Sequence, residues 1–188
     1  MEDRLTSEEE AFRSELAAAN INPDSFLATD YLNHFNEIVM LMEMALDMPD
    51  LMEEAAGWRP ATYVEHFQDS GFVARDLVIK AWGMAPPGVR SRFEDAVLQL
   101  DSLILSVLDV LINAGTADGA FDSQTRTIVN SAQAEMQDHL SELNAIIHSG
   151  SEGARLNPGD FSEMPDPEES DAGSSDAQSQ DEIDQLFD

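Results

Sequence analysis

The chain has 188 residues, of which 43% are hydrophobic, and this is enough for one folded domain with a tail. Nine Lys and Arg stand against 38 Asp and Glu, a net charge of −29, so we expect neither nucleic acid nor a membrane surface among its partners. The sequence has no cysteine, no signal peptide and no apolar run long enough to span a bilayer, which predicts a cytoplasmic protein without disulfides or thiolate metal sites.

The first 21 residues form an acidic segment in which we predict one short helix. Ser7 and Glu10 have the spacing of a capping box. They precede three apolar residues at helical intervals, Phe12, Leu16 and Ala19. Because this apolar face is weak, the helix need not pack on its neighbours. We therefore separate residues 1–21 from a helical domain that we predict for residues 22–149.

The second predicted helix begins with Asn22 as its N-cap and Pro23 in the first helical position, and it ends near Asp47, before Pro49. Its apolar side chains recur every three or four residues, at Phe35, Ile38, Val39, Met42, Ala45 and Leu46. Methionines are concentrated in and after this helix, at Met40, Met42, Met44, Met48 and Met52. We interpret them as adaptable filling of the core, and the alternative is a binding surface for a partner helix.

An aromatic stretch follows and predicts short helical pieces folded over the main bundle. Two glycine-containing turn signals, at residues 57–60 and 70–71, bound this stretch, with Trp58 in the first and Tyr63 and Phe67 between them. We expect these rings to face inward. The alternative is that they form a binding pocket.

Two further helices are predicted, over residues 73–82, before Gly83 and Pro86-Pro87, and over residues 89–113. The second is the most strongly patterned, with an apolar stripe at Phe93, Val97, Leu100, Ile104, Val107, Leu108 and Leu111. Apolar residues flank this stripe on both sides: Ala96, Leu103 and Val110 on one, Leu98, Leu105 and Ile112 on the other. A helix so widely apolar should be covered by neighbours on most of its surface, either as the central helix or in an interface of a homodimer.

The last long helix should start after Asp122 as its cap and run to about His148, with Gly150 ending it. Its buried face is predicted to contain Val129, Ala132, Met136, Leu140, Leu143 and Ile147. A turn at residues 114–119 makes the last two helices an antiparallel hairpin. Because we find no alternating apolar pattern long enough for a sheet, the predicted fold class is all-α, a helical hairpin or bundle.

From residue 150 to residue 178 the composition changes to Ser, Gly, Pro, Asp and Glu, with few apolar residues. Such a segment cannot bury enough apolar surface to offset the conformational entropy of the chain. We therefore predict a disordered acidic linker that forms a C-terminal tail.

The last ten residues regain an amphipathic pattern. Ser179 has the place of an N-cap, and acidic residues occupy the first turn that would follow. Ile183, Leu186 and Phe187 then fall on one helix face. Three apolar anchors are too few to fold alone but sufficient for a groove on a partner, so we predict a docking helix over residues 179–188. The alternative is a disordered acidic end.

The run Ser-Gln-Asp-Glu-Ile-Asp-x-Leu at residues 179–186 resembles the terminal segment by which the FliM family of flagellar switch proteins binds CheY-type response regulators. It is also similar to the acidic, leucine-containing C-terminal helix of CheZ phosphatases. The resemblance implies a partner in chemotaxis or flagellar motility, preferentially the phosphorylated response regulator. The partner-binding residues that it implies are Ser179, Gln180, Asp181, Glu182, Ile183, Asp184, Leu186 and Phe187.

The sequence contains no motif typical of a metal site or a nucleophilic enzyme. We find no HExxH pair, no Gly-rich phosphate loop and no GxSxG. His34 shares a helix face with Asp30, and His139 with Glu135. We interpret both as surface pairs, and we predict no metal site on this chain.

The apolar residues of the most strongly patterned helix leave a narrow polar line at Asp95, Gln99, Ser102, Ser106, Asp109 and Asn113. Asp95 and Gln99 are four residues apart on this line. With Phe93 two residues before the Asp, the pair resembles the Asp-x-x-x-Gln of CheZ phosphatases. In that family the Gln amide orients the water that attacks the aspartyl phosphate of the response regulator. The resemblance implies catalytic roles for Gln99 and Asp95, with Mg²⁺ carried by the partner receiver domain and no cofactor on this chain.

Other interpretations of the same pattern stay open. The polar line could simply be solvated, and Gln133 or Gln137 of the last helix could take the place of Gln99. The helices are also more interrupted by Pro and Gly than the long rods of the CheZ family. The functional alternative is a non-catalytic helical adaptor that localises or sequesters the response regulator, and a third is a structural protein kept soluble by its tail.

Overall fold

The computed structural model of the protein describes residues 2–114, 116 and 120–152. These ranges contain seven α-helices: α1 (Glu2–Ala18), α2 (Asn33–Ala45), α3 (Met52–Ala55), α4 (Tyr63–Asp69), α5 (Arg75–Met84), α6 (Pro87–Ala114) and α7 (Ser123–Glu152). Short 3₁₀ helices, Thr29–Leu32 and Pro49–Leu51, lead into α2 and α3. The predicted all-α fold is confirmed. Most of the predicted linker and the whole docking segment, residues 179–188, lie outside the described residues.

The hairpin of α6 and α7 organises the fold, as the sequence predicted. The two helices have 28 and 30 residues and share the most extensive helix contact in the described part of the chain. Their facing side chains are fully or almost fully buried, among them Leu100, Ile104, Leu111, Val129, Met136 and Leu143. Against this hairpin α2 packs on α7 and α3 packs on α6. All the helices contribute to a single hydrophobic core.

The ends of the hairpin helices follow from local chemistry. Pro87 occupies the first turn of α6, where its missing N–H leaves no bond unmade, and the Pro86 carbonyl accepts from the N–H groups of Val89 and Arg90. Asp122 caps α7 as predicted, because its Oδ1 accepts from the Thr125 N–H at 2.7 Å. The prediction that Gly150 ends α7 is wrong, since the helix continues to Glu152.

The prediction of a helix beginning at Asn22 is wrong. The Asn22 side chain does accept from two backbone N–H groups, those of Asp24 and Ser25, at 2.9 and 3.0 Å. What it caps is a turn, and Phe26 adopts a left-handed φ of 65° within it. Ile21 and Ala28 then pair in an isolated bridge. Both side chains are buried, so the chain reverses here to place them in the core, and the helix begins only after residue 28.

The N-terminal helix α1 differs from the prediction in two ways. It starts at Glu2, so Ser7 is a residue of the helix and not its cap. It also packs on the core, because Leu16 is fully buried and the ring of Phe12 lies 6.1 Å from that of Phe26. Arg13 secures the contact with a 3.0 Å ion pair to Asp24. Tertiary contacts thus anchor a helix whose own pattern is weak.

The methionines divide between core and surface. Met42 is fully buried, but Met40, Met44 and Met48 are 56%, 40% and 48% exposed. Core filling is therefore the wrong interpretation for these three, which lie four residues apart along the outer side of α2 and the turn after it. By contrast, the inward orientation expected for Tyr63 and Phe67 is confirmed, since both rings are buried.

The helix predicted over residues 73–82 is α5, displaced by two residues. Val73 is fully exposed and precedes the helix, which starts at Arg75. Gly83 does not end it, because α5 continues through Gly83 to Met84 before the two prolines. Glycine tolerates helical geometry, whereas proline lacks the N–H that the next turn needs, so the prolines set the boundary.

Candidate functional site: two faces of helix α6

Asp95 and Gln99 both lie exposed on α6, as their spacing predicted. The Gln99 side-chain amide donates to the backbone carbonyl of Asp95 at 3.3 Å, one turn earlier on the same helix. Further along the polar line, Ser102 donates to the Leu98 carbonyl in the same way, at 2.7 Å. The pair is thus accessible to a partner, while the Gln99 amide rests against its own helix through a long hydrogen bond.

An apolar strip runs beside this polar line. It consists of Leu98, Leu105 and Ile112, which are 63%, 43% and 55% exposed and follow one another at seven-residue intervals. Within a single chain the neighbouring helices cover α6 less than expected on this flank, and cover in a homodimer interface stays a prediction. On the other flank Ala96 is buried, and Leu103 and Val110 are half-buried.

The two alternative glutamines lie on α7. Gln133 is half-buried, and Gln137 is exposed. Gln137 contributes its backbone carbonyl to the hydroxyl of Ser141 at 2.9 Å. Of the glutamines that the sequence singled out, Gln99 is the one with an exposed apolar neighbour, Leu98, immediately before it.

Between α4 and α6 the structure contains a cavity of about 580 Å³, and the sequence did not indicate that residues of α6 line it. Its lining includes four aromatic residues, Tyr31, Tyr63, Trp82 and Phe93, together with Leu98 and Asp101. The rings pack on one another: Tyr63 stacks on Trp82 at 4.6 Å, and Tyr31 lies 5.4 Å from Phe93. Tyr63 therefore fits both interpretations of the aromatic stretch, because its side chain is buried and it also lines a cavity.

Asp101 is the unusual residue of this cavity. It is only 9% exposed, and its Oδ1 has no hydrogen-bond partner among the described residues. Burial raises the pKa of the Asp101 carboxyl to about 6. One sequence signal could have found it: Asp101 stands four residues after Val97 and three before Ile104, so it interrupts the apolar stripe with an acid.

The tyrosine hydroxyls that line the cavity are engaged elsewhere. Tyr31 donates to the Ala61 carbonyl at 2.7 Å, and the Tyr63 hydroxyl accepts from the Ala28 N–H at 2.8 Å. Burial raises the pKa of both phenols, and the nearby Asp101 carboxylate adds to the rise for Tyr31. Both phenols therefore stay neutral, and neither neutralises the charge of Asp101.

A second buried polar group lies at His34, which the sequence had placed in a surface pair with Asp30. His34 is half-buried, stacks on Trp58 at 5.0 Å, and lies 5.8 Å from His66. Its Nε2 has no hydrogen-bond partner among the described residues. Burial lowers the pKa of both His34 and His66, and the proximity of His66 lowers that of His34 further. The surface-pair interpretation is wrong for His34.

His139 lies on α7, and the acid that it contacts is Glu142, three residues later, at 3.8 Å. The expected pairing with Glu135 is thus replaced by another pair on the same helix. Across the described ranges no group of three or more His, Asp and Glu side chains is arranged to hold a metal ion. No helix there combines the length and the hydropathy needed to cross a bilayer.

The sequence matches no protein-family model, no curated protein and no solved structure in the comparisons made with it. The residues predicted to bind a response regulator, from Ser179 to Phe187, lie outside the described residues.

Proposed function

We propose that the protein binds a CheY-type response regulator of chemotaxis or flagellar motility and accelerates the loss of its phosphoryl group. Residues 179–188 would dock the receiver, and Gln99 and Asp95 would face its phosphorylated aspartate. The observation that supports this most is the exposure of Asp95 and Gln99 on one face of α6, beside the exposed Leu98. A flat receiver surface could approach this face without moving any element of the core.

The proposed role of Gln99 is to position the attacking water. An amide can accept from a water and donate to a phosphoryl oxygen without changing its protonation, so it can hold the water in line for attack. Turning the amide outward breaks one exposed 3.3 Å bond to the Asp95 carbonyl, which is worth about 1 kcal/mol or less. The receiver would supply Mg²⁺ and the phosphoryl group, and Asp95 would position a group on the receiver.

The charge of the chain explains why a separate docking segment would be useful. A net charge of −29 repels a phosphorylated, anionic partner at long range. A flexible linker of the length predicted from the sequence would span roughly 30 Å. A receiver held on such a linker meets α6 at an effective concentration on the order of millimolar, which offsets this repulsion.

The non-catalytic adaptor remains a second candidate, and a specific observation favours it. The Gln99 amide rests on its own helix, while three apolar side chains beside it are open to solvent. The apolar strip of Leu98, Leu105 and Ile112 suits docking without chemistry. In this version the protein sequesters or localises the response regulator and leaves its phosphorylation lifetime unchanged.

One experiment separates the two candidates: the rate of phosphate loss from a phosphorylated CheY-type receiver, with and without the protein. The phosphatase proposal expects acceleration, its loss in Gln99→Ala with binding retained, and a smaller loss in Asp95→Ala. Gln68→Ala, which changes an exposed glutamine on α4, is the matched control and should keep the full rate. Binding without acceleration by the wild type would reject the phosphatase and leave the adaptor.

Docking is tested separately with a peptide of residues 176–188. It should bind a receiver by itself, and more tightly when the receiver is phosphorylated. Replacing Leu186 and Phe187 with Ala should remove most of the affinity, because each buried apolar side chain contributes roughly 1.5–3 kcal/mol. Gln185→Ala, on the opposite side of the predicted helix, is the control. Absence of binding to the CheY-type receivers of the same cell would overturn the proposal.

A further inference from the structure

The charged residues in the lining of the cavity between α4 and α6 are all acidic. Asp101 lies within it, more than nine-tenths buried, and the exposed Glu65 and Glu94 also line it. Among the described residues that line it there is no Lys, Arg or His. Arg90 does lie 5.9 Å from the Trp82 ring, but it is not part of the lining. The field inside the cavity therefore favours a positive charge.

The walls add a second feature that points to a cation with an apolar body. Four aromatic rings, from Tyr31, Tyr63, Trp82 and Phe93, line the same space as Asp101. Trp82 is the half-buried one of the four, and the face of a Trp ring attracts ammonium and guanidinium groups, as the Arg90 guanidinium at 5.9 Å already does. The volume of about 580 Å³ is that of a small-molecule site.

A carboxylate buried without a partner is unfavourable unless something compensates for its charge. Oδ1 of Asp101 has no hydrogen-bond partner among the described residues, and the two tyrosine hydroxyls beside it are bonded to backbone groups. Asp101 thus retains a buried acceptor that the fold itself does not use. We propose that it binds an organic cation, an ammonium or guanidinium group on an apolar stem, with Asp101 accepting the charged hydrogen bond and the rings enclosing the stem.

Two sources could present this chemistry: a free organic amine, or the side chain of a Lys or Arg on a partner protein. Leu98 contributes both to the cavity lining and to the exposed apolar strip, so a protein seated on the strip would have the cavity within its footprint. The proposal does not depend on receiver binding, and its test uses the protein alone.

Binding should depend on pH through Asp101. The groups that line the cavity with it are Tyr31, Tyr63 and Glu65 from the preceding elements and Glu94 from α6. The two tyrosines stay neutral because their pKa is raised, and the pKa of Glu65 is lowered by its hydrogen bonds to Thr62, so it stays ionised. Since burial holds the pKa of Asp101 near 6, the acceptor charge is lost as the pH falls below that value.

The test titrates the full chain with n-butylammonium and observes the indole N–H resonances of its two tryptophans. Trp82 lines the cavity and Trp58 does not, so only Trp82 should shift. The neutral analogue 1-butanol should bind at least about tenfold more weakly, because it lacks the charge. Affinity should fall by about tenfold or more between pH 8 and pH 4.5. N-acetyl-lysine methylamide and N-acetyl-arginine methylamide form a second arm, and tighter binding of these would indicate a partner side chain as the source.

Asp101→Asn keeps the volume of the side chain and removes its charge, so it should weaken n-butylammonium binding by at least about tenfold. Asp109→Asn removes an exposed charge from the same helix, away from the cavity lining, and should bind as the wild type does. Equal binding by both variants, equal binding of 1-butanol, or no shift of Trp82 would each overturn the proposal. The carboxyl carbon resonance of Asp101 in the wild type gives an independent measurement. Its apparent pKa should fall when n-butylammonium is added, and an unchanged value also contradicts the proposal.

Discussion

Two acidic residues on one helix, six positions apart, behave in opposite ways. Asp95 is exposed, beside an amide that rests on its own helix, whereas Asp101 is 9% exposed and faces a cavity of aromatic rings. The helix gives both residues the same backbone conformation. What differs is the covering, because the aromatic elements between residues 31 and 82 pack over one side of α6 and leave the other open. The comparison shows that the ionisation of an acidic residue on a helix depends on the side chains that pack over it as much as on the residue type.

The largest expected effect comes from making the same change on the two sides of α6. Leu100 is fully buried and Leu98 is 63% exposed. Leu100→Ala should lower the free energy of unfolding by about 2–5 kcal/mol, because it removes buried contacts and leaves a cavity. Leu98→Ala should change it by less than about 0.5 kcal/mol. Chemical denaturation of both variants measures the difference, and similar losses would show that Leu98 is covered in solution, for example by a second copy of the chain.

The next effect concerns Asp101 and pH. Its pKa is raised from 3.8 to about 6 by burial, so the folded state binds more protons than the unfolded state between these values. Stability from this group is therefore present at low pH and is lost as the pH rises through about 6. Asp101→Asn removes the dependence, so its stability relative to the wild type should rise by about 3 kcal/mol between pH 3.5 and pH 7.5.

Asp95→Asn is the control for this measurement, because the carboxyl of Asp95 is exposed. Its stability relative to the wild type should be nearly the same at both pH values. If Asp101→Asn also shows no change with pH, Asp101 is either solvated in the protein or already neutralised by a partner. Thermal unfolding in matched buffers gives both comparisons.

A smaller effect is expected for the two half-buried histidines, whose pKa burial shifts down, whereas it shifts the pKa of Asp101 up. His34 and His66 have a lowered pKa, chiefly because burial disfavours the imidazolium. Each contributes stability that is present above the unfolded value of 6.5 and is lost as the pH falls below it. In an NMR titration of the imidazole resonances, both should reach their midpoints below pH 6.5. A midpoint above that value for His34 would mean that its Nε2 has a partner in solution.

The smallest effect on stability is expected for the exposed pair. Gln99→Ala removes one solvent-accessible bond of 3.3 Å, and Asp95→Ala removes an exposed carboxylate. Each should change the free energy of unfolding by less than about 0.5 kcal/mol, and helix content by circular dichroism should stay the same. A clear loss of helix in Gln99→Ala would show a structural role for this amide and would make its loss of rate uninformative about catalysis.

Much of the fold was predictable from residues that act locally. The periodicity of α6 and α7 identified both long helices, and Asp122 was recognised as a cap because its bond to Thr125 needs only its own turn. Asp95 and Gln99 were placed on an exposed line because their spacing is helical. The turn at Asn22 was not recognised, since the same side chain caps either a helix or a turn. Only the burial of Ile21 and Ala28 decides between them.

The sequence by itself determined that the chain is all-α, where its two longest helices lie, and which residues share each helix face. It did so because helix periodicity and capping depend on neighbours within a few positions. Tertiary structure alone decided which apolar flank of α6 is covered, that three methionines face solvent, and that Asp101 lies among aromatic rings. These outcomes depend on side chains distant in sequence, Tyr31 and Trp82 among them, whose approach to α6 leaves no periodic signal in the chain. Helix periodicity identifies which residues share a face, and tertiary packing decides whether that face is covered by other side chains or exposed to solvent.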